Sequence, residues 1–207
     1  MKKFWNDCAR VPGAITPLQC TEEIILRDVN DLLFGAPSEF LESASLLDLG
    51  CGEGRLMPEL ARRVGKYTGA DVSTVVLDRA RAFAESLRLG NVSLVELADG
   101  AHGELGDIGP FDIVVSWTVF MHLPQRIFRA YLGSVHKVLK PQGLFNFQVP
   151  LSGTEDARFN VVPDSDLWKS RWYSAELVHS YLTEEGFFVA GFPVGGQQSW
   201  RTVRSDG

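Results

Sequence analysis

Cysteine is scarce in this chain. Cys8, Cys20 and Cys51 are the only three in 207 residues. Their spacing suits neither a disulfide framework nor a zinc site, so the thiols are expected to be free in a reducing cytoplasm. Long hydrophobic runs are also missing. The greasiest stretch, Phe111 to Leu123, is interrupted by Asp112, Ser116, Thr118 and His122 and is too short to cross a bilayer. It reads as a buried strand leading into a loop. Lys2 and Lys3 open the sequence, but Asn6 and Asp7 follow and no apolar stretch of signal-peptide length does. No export leader and no membrane association are therefore expected, which makes the cytoplasm the expected location. Positive charge is in deficit, with 20 Lys and Arg against 26 Asp and Glu. An acidic chain gains little from counterion release on a polyphosphate, so composition disfavours a nucleic-acid partner. Repeats and low-complexity tracts are absent as well.

What remains is an ordinary globular balance, 45% hydrophobic and 22% charged, in a length that suits one domain. Thr21 reads as an N-cap, and Ile25, Val29, Leu32 and Leu33 share the helical face that follows until Gly35 and Pro37 stop it. An alternation then begins. Strands are expected at 45–49, 66–71, 92–97, 111–116 and 143–149. Between them lie helices marked by Leu56, Leu60 and Val64, by Val76, Ala80, Phe83 and Leu87 after the cap Ser73, and by Phe128, Tyr131, Val135 and Leu139 after Pro124. Ser174 caps a last helix that Gly186 ends. Strands at 187–193 and 197–203, joined through Gly195-Gly196, read as a closing hairpin. The expected architecture is α/β, a doubly wound and mostly parallel sheet of seven strands with helices on both faces. Residues 1–44 would form a helical lead-in and residues 45–207 the main body of one domain.

Open sheets of this kind bind ligands just beyond the C-terminal ends of their strands. There the sequence reads Leu46-Leu47-Asp48-Leu49-Gly50-Cys51-Gly52-Glu53-Gly54. Glycines let a backbone turn sharply and lie against a ligand, and the next helix aims its unpaired N–H groups at the same spot. A glycine loop alone is a weak signal. It gains weight from Asp71, at the end of the next strand and about 20 residues on, where a ribose diol would need an acceptor. The alternative for Asp71 is a helix N-terminal acid favoured by the dipole. A nicotinamide dinucleotide also fits this outline. Two features favour a different ligand: the glycines recur at every second residue, and Asp48 places a carboxylate where a pyrophosphate would be repelled and a cation attracted.

As a set, Leu46 to Gly54, Asp71, Asp99-Gly100, Phe111 to Ser116 with Met121-His122-Leu123, and Val138 to Leu144 resemble the class I S-adenosylmethionine-dependent methyltransferases. The resemblance extends from about Ser45 to Val203. It implies S-adenosylmethionine as cofactor, with Asp48, Gly50, Gly52 and Gly54 on its methionine part. It also implies Asp71 on the ribose hydroxyls, Asp99 on the adenine amine, and Ser116 near the methionine part and the acceptor. Cys51, Val72 and Gly100 count with these as cofactor-side positions. Cys51 could instead be a small filler of the loop, and Asp99 a turn residue before Gly100.

His122, after the fourth strand, is the candidate general base, although it could equally be a loop histidine packed on the following helix. Trp5, Arg10, Trp117, Trp168 and Arg171 are candidate acceptor contacts by placement, since they fall outside the cofactor scaffold. A hydrophobic cover for the sheet is the other reading of the segment that holds Trp168 and Arg171. Ser116-Trp117-Thr118 lacks the Asn/Asp-Pro-Pro-aromatic motif of nucleobase amino-methylating enzymes. It also lacks an acid for a magnesium site, so no metal is expected. The expected function is metal-free, in-line O- or N-methylation of a small molecule by a monomer or homodimer. An NAD(P)-dependent oxidoreductase or a non-catalytic cofactor-binding module would be the alternatives.

Overall fold

The computed structural model describes residues 1–11, 20–98, 105, 108–151, 162–191 and 199–205. Its contacts fall into two compact units, Met1–Gly100 and Ala101–Gly207. The first holds α1 (Lys2–Ala9), α2 (Glu22–Leu32), α3 (Ser38–Ser43), β1 (Ser45–Leu49), α4 (Met57–Ala61), β2 (Lys66–Asp71), α5 (Thr74–Ser86) and β3 (Val92–Glu96). The second holds β4 (Phe111–Ser116), a 3-10 turn (Phe120–His122), α6 (Gln125–Val138), β5 (Leu139–Gln148), α7 (Ala175–Glu184), β6 (Phe187–Gly191) and β7 (Ser199–Arg204). The strands form a seven-stranded sheet in the order β3-β2-β1-β4-β5-β7-β6. β1 with β2, β2 with β3, and β4 with β5 pair in parallel, while β7 runs antiparallel to both β5 and β6. This is the mostly parallel sheet with an antiparallel closing hairpin that the residue pattern implies.

Local chemistry explains the helix ends. The hydroxyls of Thr21, Ser73 and Ser174 accept from the third N–H of α2, α5 and α7. Gly186 takes φ +81° just past α7 and releases the chain into β6. Several boundaries differ from expectation. β5 begins at Leu139, which pairs with Phe111 before a register shift around the Lys140–Gly143 turn, where Gln142 has φ 60°. The helix expected over 56–64 shortens to Met57–Ala61, and β3 ends at Glu96; residues 192 and 193, expected in β6, lie outside the described residues. The Gly195-Gly196 turn lies outside the described residues. α1 and α3 have no side-chain cap, and the expected helical lead-in over 1–44 does not place them individually. Residues of the lead-in pack inside the first unit, α1 against α5 and α2 against α4.

Each unit buries its own core. In the first, Leu46, Leu47, Leu49, Met57, Leu60, Tyr67 and Ala80 are sealed from solvent. In the second, aromatics dominate: Phe145 stacks on Phe147 at 4.6 Å, and Phe120 meets Phe128 at 4.9 Å. Among the described residues, no helix is long and apolar enough to cross a membrane.

Candidate active site

In the first unit, β1 runs straight into the glycine turn. Gly50, Gly52 and Gly54 adopt φ of 80°, 55° and 83°, a region that other residues enter only with strain. The turn is stitched to the end of β2. Gly50 and Cys51 both donate their N–H to Ala70 O, at 2.7 and 3.2 Å, and Gly52 N–H donates to Asp71 Oδ2 at 3.1 Å. Cys51 is buried, and a Cβ at Gly69 would stand 2.9 Å from its sulfur, so a side chain at residue 69 would force that thiol to shift. Burial pushes the Cys51 thiol well above its ordinary value, and the nearby carboxylates of Asp48 and Asp71 add to this. The thiol is therefore a protonated filler rather than a nucleophile. In the folded protein at pH 8, dithionitrobenzoate should modify Cys51 at least tenfold more slowly than Cys8 and Cys20. Equal rates at all three would contradict this placement.

Asp71 is held rigidly. Besides Gly52, the N–H of Ser73 donates to its Oδ1 at 2.8 Å, and Val72 contributes a further backbone bond. Burial raises its pKa and these N–H groups oppose the rise. The Ser73 hydroxyl, fully buried, donates to Asn6 Oδ1 on α1 at 2.7 Å. Lys2 pairs with Glu96, so α1 is tied down at two points. Trp5 lies on this helix with its ring edge-on to Phe4 at 5.0 Å, and Arg10 follows it, paired with Asp7 at 2.7 Å and exposed. Asp48 is buried in β1 and accepts from Tyr67 Oη at 2.7 Å. Burial raises it to about 6, against the opposing pull of the Tyr67 hydrogen bond and Arg55. Arg55 itself is fixed from α2 by Asp28, at 2.8 Å.

In the second unit, Ser116 ends β4 fully buried and Trp117 is nearly so. Thr118 has φ 60°, rare for a β-branched residue, and its Oγ1 donates to Trp117 O at 2.7 Å. Strain of this kind collects at functional sites. His122 closes the 3-10 turn. Burial lowers its pKa and Arg171 adds to the effect, while hydrogen bonds to the backbone of Leu167 and Trp168 oppose it. Arg171 is only 1% exposed, and its guanidinium donates to His122 O and Pro163 O. It thus lies beneath the surface rather than offering its fork to an acceptor. Trp168, 52% exposed, does offer its ring to solvent. Asp99 and Gly100 lie outside the described residues.

Tyr67, Asn6, Arg55 with Asp28, and Thr118 were not singled out in the sequence. Tyr67 was recoverable in principle. Leu46 pairs with Tyr67, and Asp48, two residues on, shares that face of the sheet. Thr118 gives no sequence signal.

These residues suit a phosphate-free, positively charged nucleoside. A carboxylate has about four acceptor sites; the N–H groups of Gly52, Ser73 and Val72 occupy three on Asp71, which leaves about one for the ribose diol. The turn presents no Cβ, and the buried Asp48 rewards an ammonium and repels a phosphate. An open α/β sheet with an acid-flanked glycine turn is the outline of a nucleoside-cofactor site. Comparison narrows the class. Residues 46–143 match a family model described as a methyltransferase domain. The malonyl-[acyl-carrier protein] O-methyltransferase of Geobacter sulfurreducens is 36% identical over 173 residues, 79% of this chain and 61% of that protein. A ubiquinone biosynthesis O-methyltransferase of Ruegeria pomeroyi is 35% identical over 99 residues, 48% of this chain and 38% of that one. Among structures, magnesium protoporphyrin IX methyltransferase from Synechocystis PCC 6803, with bound S-adenosylmethionine, aligns with TM-score 0.70 at 18% identity. That alignment covers 99% of this chain and 97% of the other. Residues 46–143 thus match a methyltransferase domain, and the chain resembles the class I S-adenosylmethionine-dependent methyltransferases. It spans 61% and 38% of the length of the two curated relatives named above.

Proposed function

We propose that the chain transfers a methyl group from S-adenosylmethionine to an oxygen of a small-molecule acceptor. One observation carries the cofactor half of this reading: in the first unit, Asp48 and Asp71 flank a turn whose three glycines all hold positive φ. Asp71 would take the ribose hydroxyls, and Asp48 and the turn the methionine end. When bound, the cofactor supplies an electrophilic methyl carbon that needs no metal. The protein's own work is to hold the acceptor oxygen in line, exclude water and accept a proton where the acceptor carries one. His122 is the proposed proton acceptor, since burial keeps its imidazole neutral. Trp168 is the proposed apolar contact for the acceptor. Oxygen is favoured over nitrogen because the two curated relatives named above are O-methyltransferases.

Calorimetric titration separates this reading from an oxidoreductase. S-adenosylhomocysteine should bind with micromolar affinity or better, and NAD should give no saturable heat. Saturable binding of NAD without binding of S-adenosylhomocysteine would overturn the proposal.

A further inference from the structure

Arg171 is an unusual residue to bury. A guanidinium stays charged at every accessible pH, and an apolar side chain of similar volume commonly packs as well without the desolvation penalty. Its bonds show what it holds. Its main-chain N–H donates to Met121 O at 2.8 Å, its Nη1 to His122 O at 3.0 Å, and its Nη2 to Pro163 O at 2.9 Å. One residue thereby sews two parts of the second unit together: the 3-10 turn at Phe120–His122 and the connection that leads to α7. The stitching runs both ways, because the His122 ring bonds in return to the backbone of Leu167 and Trp168 on that same connection. Tyr173, two residues on and fully buried, anchors the connection's end by donating its N–H to Pro150 O at 3.0 Å.

We propose that Arg171 is a positioning residue: by bridging the His122 and Pro163 carbonyls it fixes the place and orientation of the His122 imidazole. This rests on the reading above, in which His122 accepts the acceptor's proton. The planar fork matters, because it reaches two carbonyls in fixed directions where a lysine ammonium is a single point. The charge matters too. The groups acting on the ring are the Arg171 cation and the Leu167 and Trp168 backbone, and the cation disfavours a second proton on the imidazole.

The test uses the full chain labelled with 15N-histidine, with the His122 ring signals assigned through H122Q and followed from pH 5 to 8.5. In the wild type, His122 should show one neutral tautomer and titrate below ordinary histidine. In R171M the tautomers should average and the midpoint should rise, since the Arg171 cation is among the causes that lower it. R171K, which keeps the charge but not the fork, should average the tautomers with a smaller rise. Thermal melting checks that each variant is folded, and R171K carries the test if R171M is not. Wild-type tautomer signals in a folded R171M or R171K overturn the proposal. Titration with S-adenosylhomocysteine keeps the two readings apart: a wild type that fails to bind it sinks the methyltransferase reading while leaving the imidazole result intact.

Discussion

Replacing Asp71 with alanine is expected to weaken S-adenosylhomocysteine binding by roughly ten- to a hundred-fold. The charge-assisted hydrogen bonding left to the ribose diol would be lost, worth about 1.5–3 kcal/mol. The same carboxylate accepts from Gly52 N–H and Ser73 N–H, so the variant also loosens the glycine turn. D71N separates the two effects. Its single amide oxygen can keep one backbone contact while the charge is gone, so stability should recover more than affinity does. Calorimetry and urea unfolding on both variants supply the measurements. An affinity within twofold of wild type in D71A would mean that Asp71 is only the helix-end acid considered at the outset.

Asn in place of Asp48 should move stability and affinity in opposite directions. Burial raises the Asp48 carboxyl to about 6 from an ordinary value of 3.8. Between those values the folded state binds more protons than the unfolded state, so stability falls as pH rises. The favourable contribution is complete below the unfolded value and is gone once pH passes the folded one. Across that window the loss is about 3 kcal/mol in order of magnitude. Asn can still accept from Tyr67 but carries no charge to desolvate. D48N should therefore be more stable than wild type at pH 8, with the difference vanishing near pH 4. It should also bind the ammonium-bearing S-adenosylhomocysteine at least tenfold more weakly. Wild-type affinity itself should fall as the buffer is taken from pH 8 to pH 5. A D48N protein that melts lower at pH 8, or binds as tightly as wild type, would remove Asp48 from the cofactor's cationic end.

What could be read from the sequence was what local chemistry writes into it. The caps Thr21, Ser73 and Ser174, the αL glycine at 186 and the glycine turn all announce backbone geometry within a few residues. Asp71 was legible because spacing along a strand–helix–strand unit is nearly fixed. Features that depend on register or on distant chain segments were not. Asn6 meets Ser73 across 67 positions, and no pattern near either residue implies the other. Arg171 looked like an acceptor contact because it falls outside the cofactor scaffold, and only folding reveals the carbonyls that bury it. The acid expected to meet adenine, Asp99, lies outside the described residues. Within the expected helical lead-in, the bounds of α1 were not legible because its N-cap residue, Met1, makes no side-chain bond.

The glycine turn has a consequence for the thermodynamics of ligand capture. The amides of Gly50, Cys51 and Gly52 are engaged by Ala70 and Asp71 in the protein by itself. A nucleoside docking there meets a receptor already in shape, and it spends little binding energy on freezing main-chain motion. Association at this turn should accordingly be fast and single-phased. Rigid mimics of the nucleoside should lose little against flexible ones, because the conformational work was completed when the strands first zipped together.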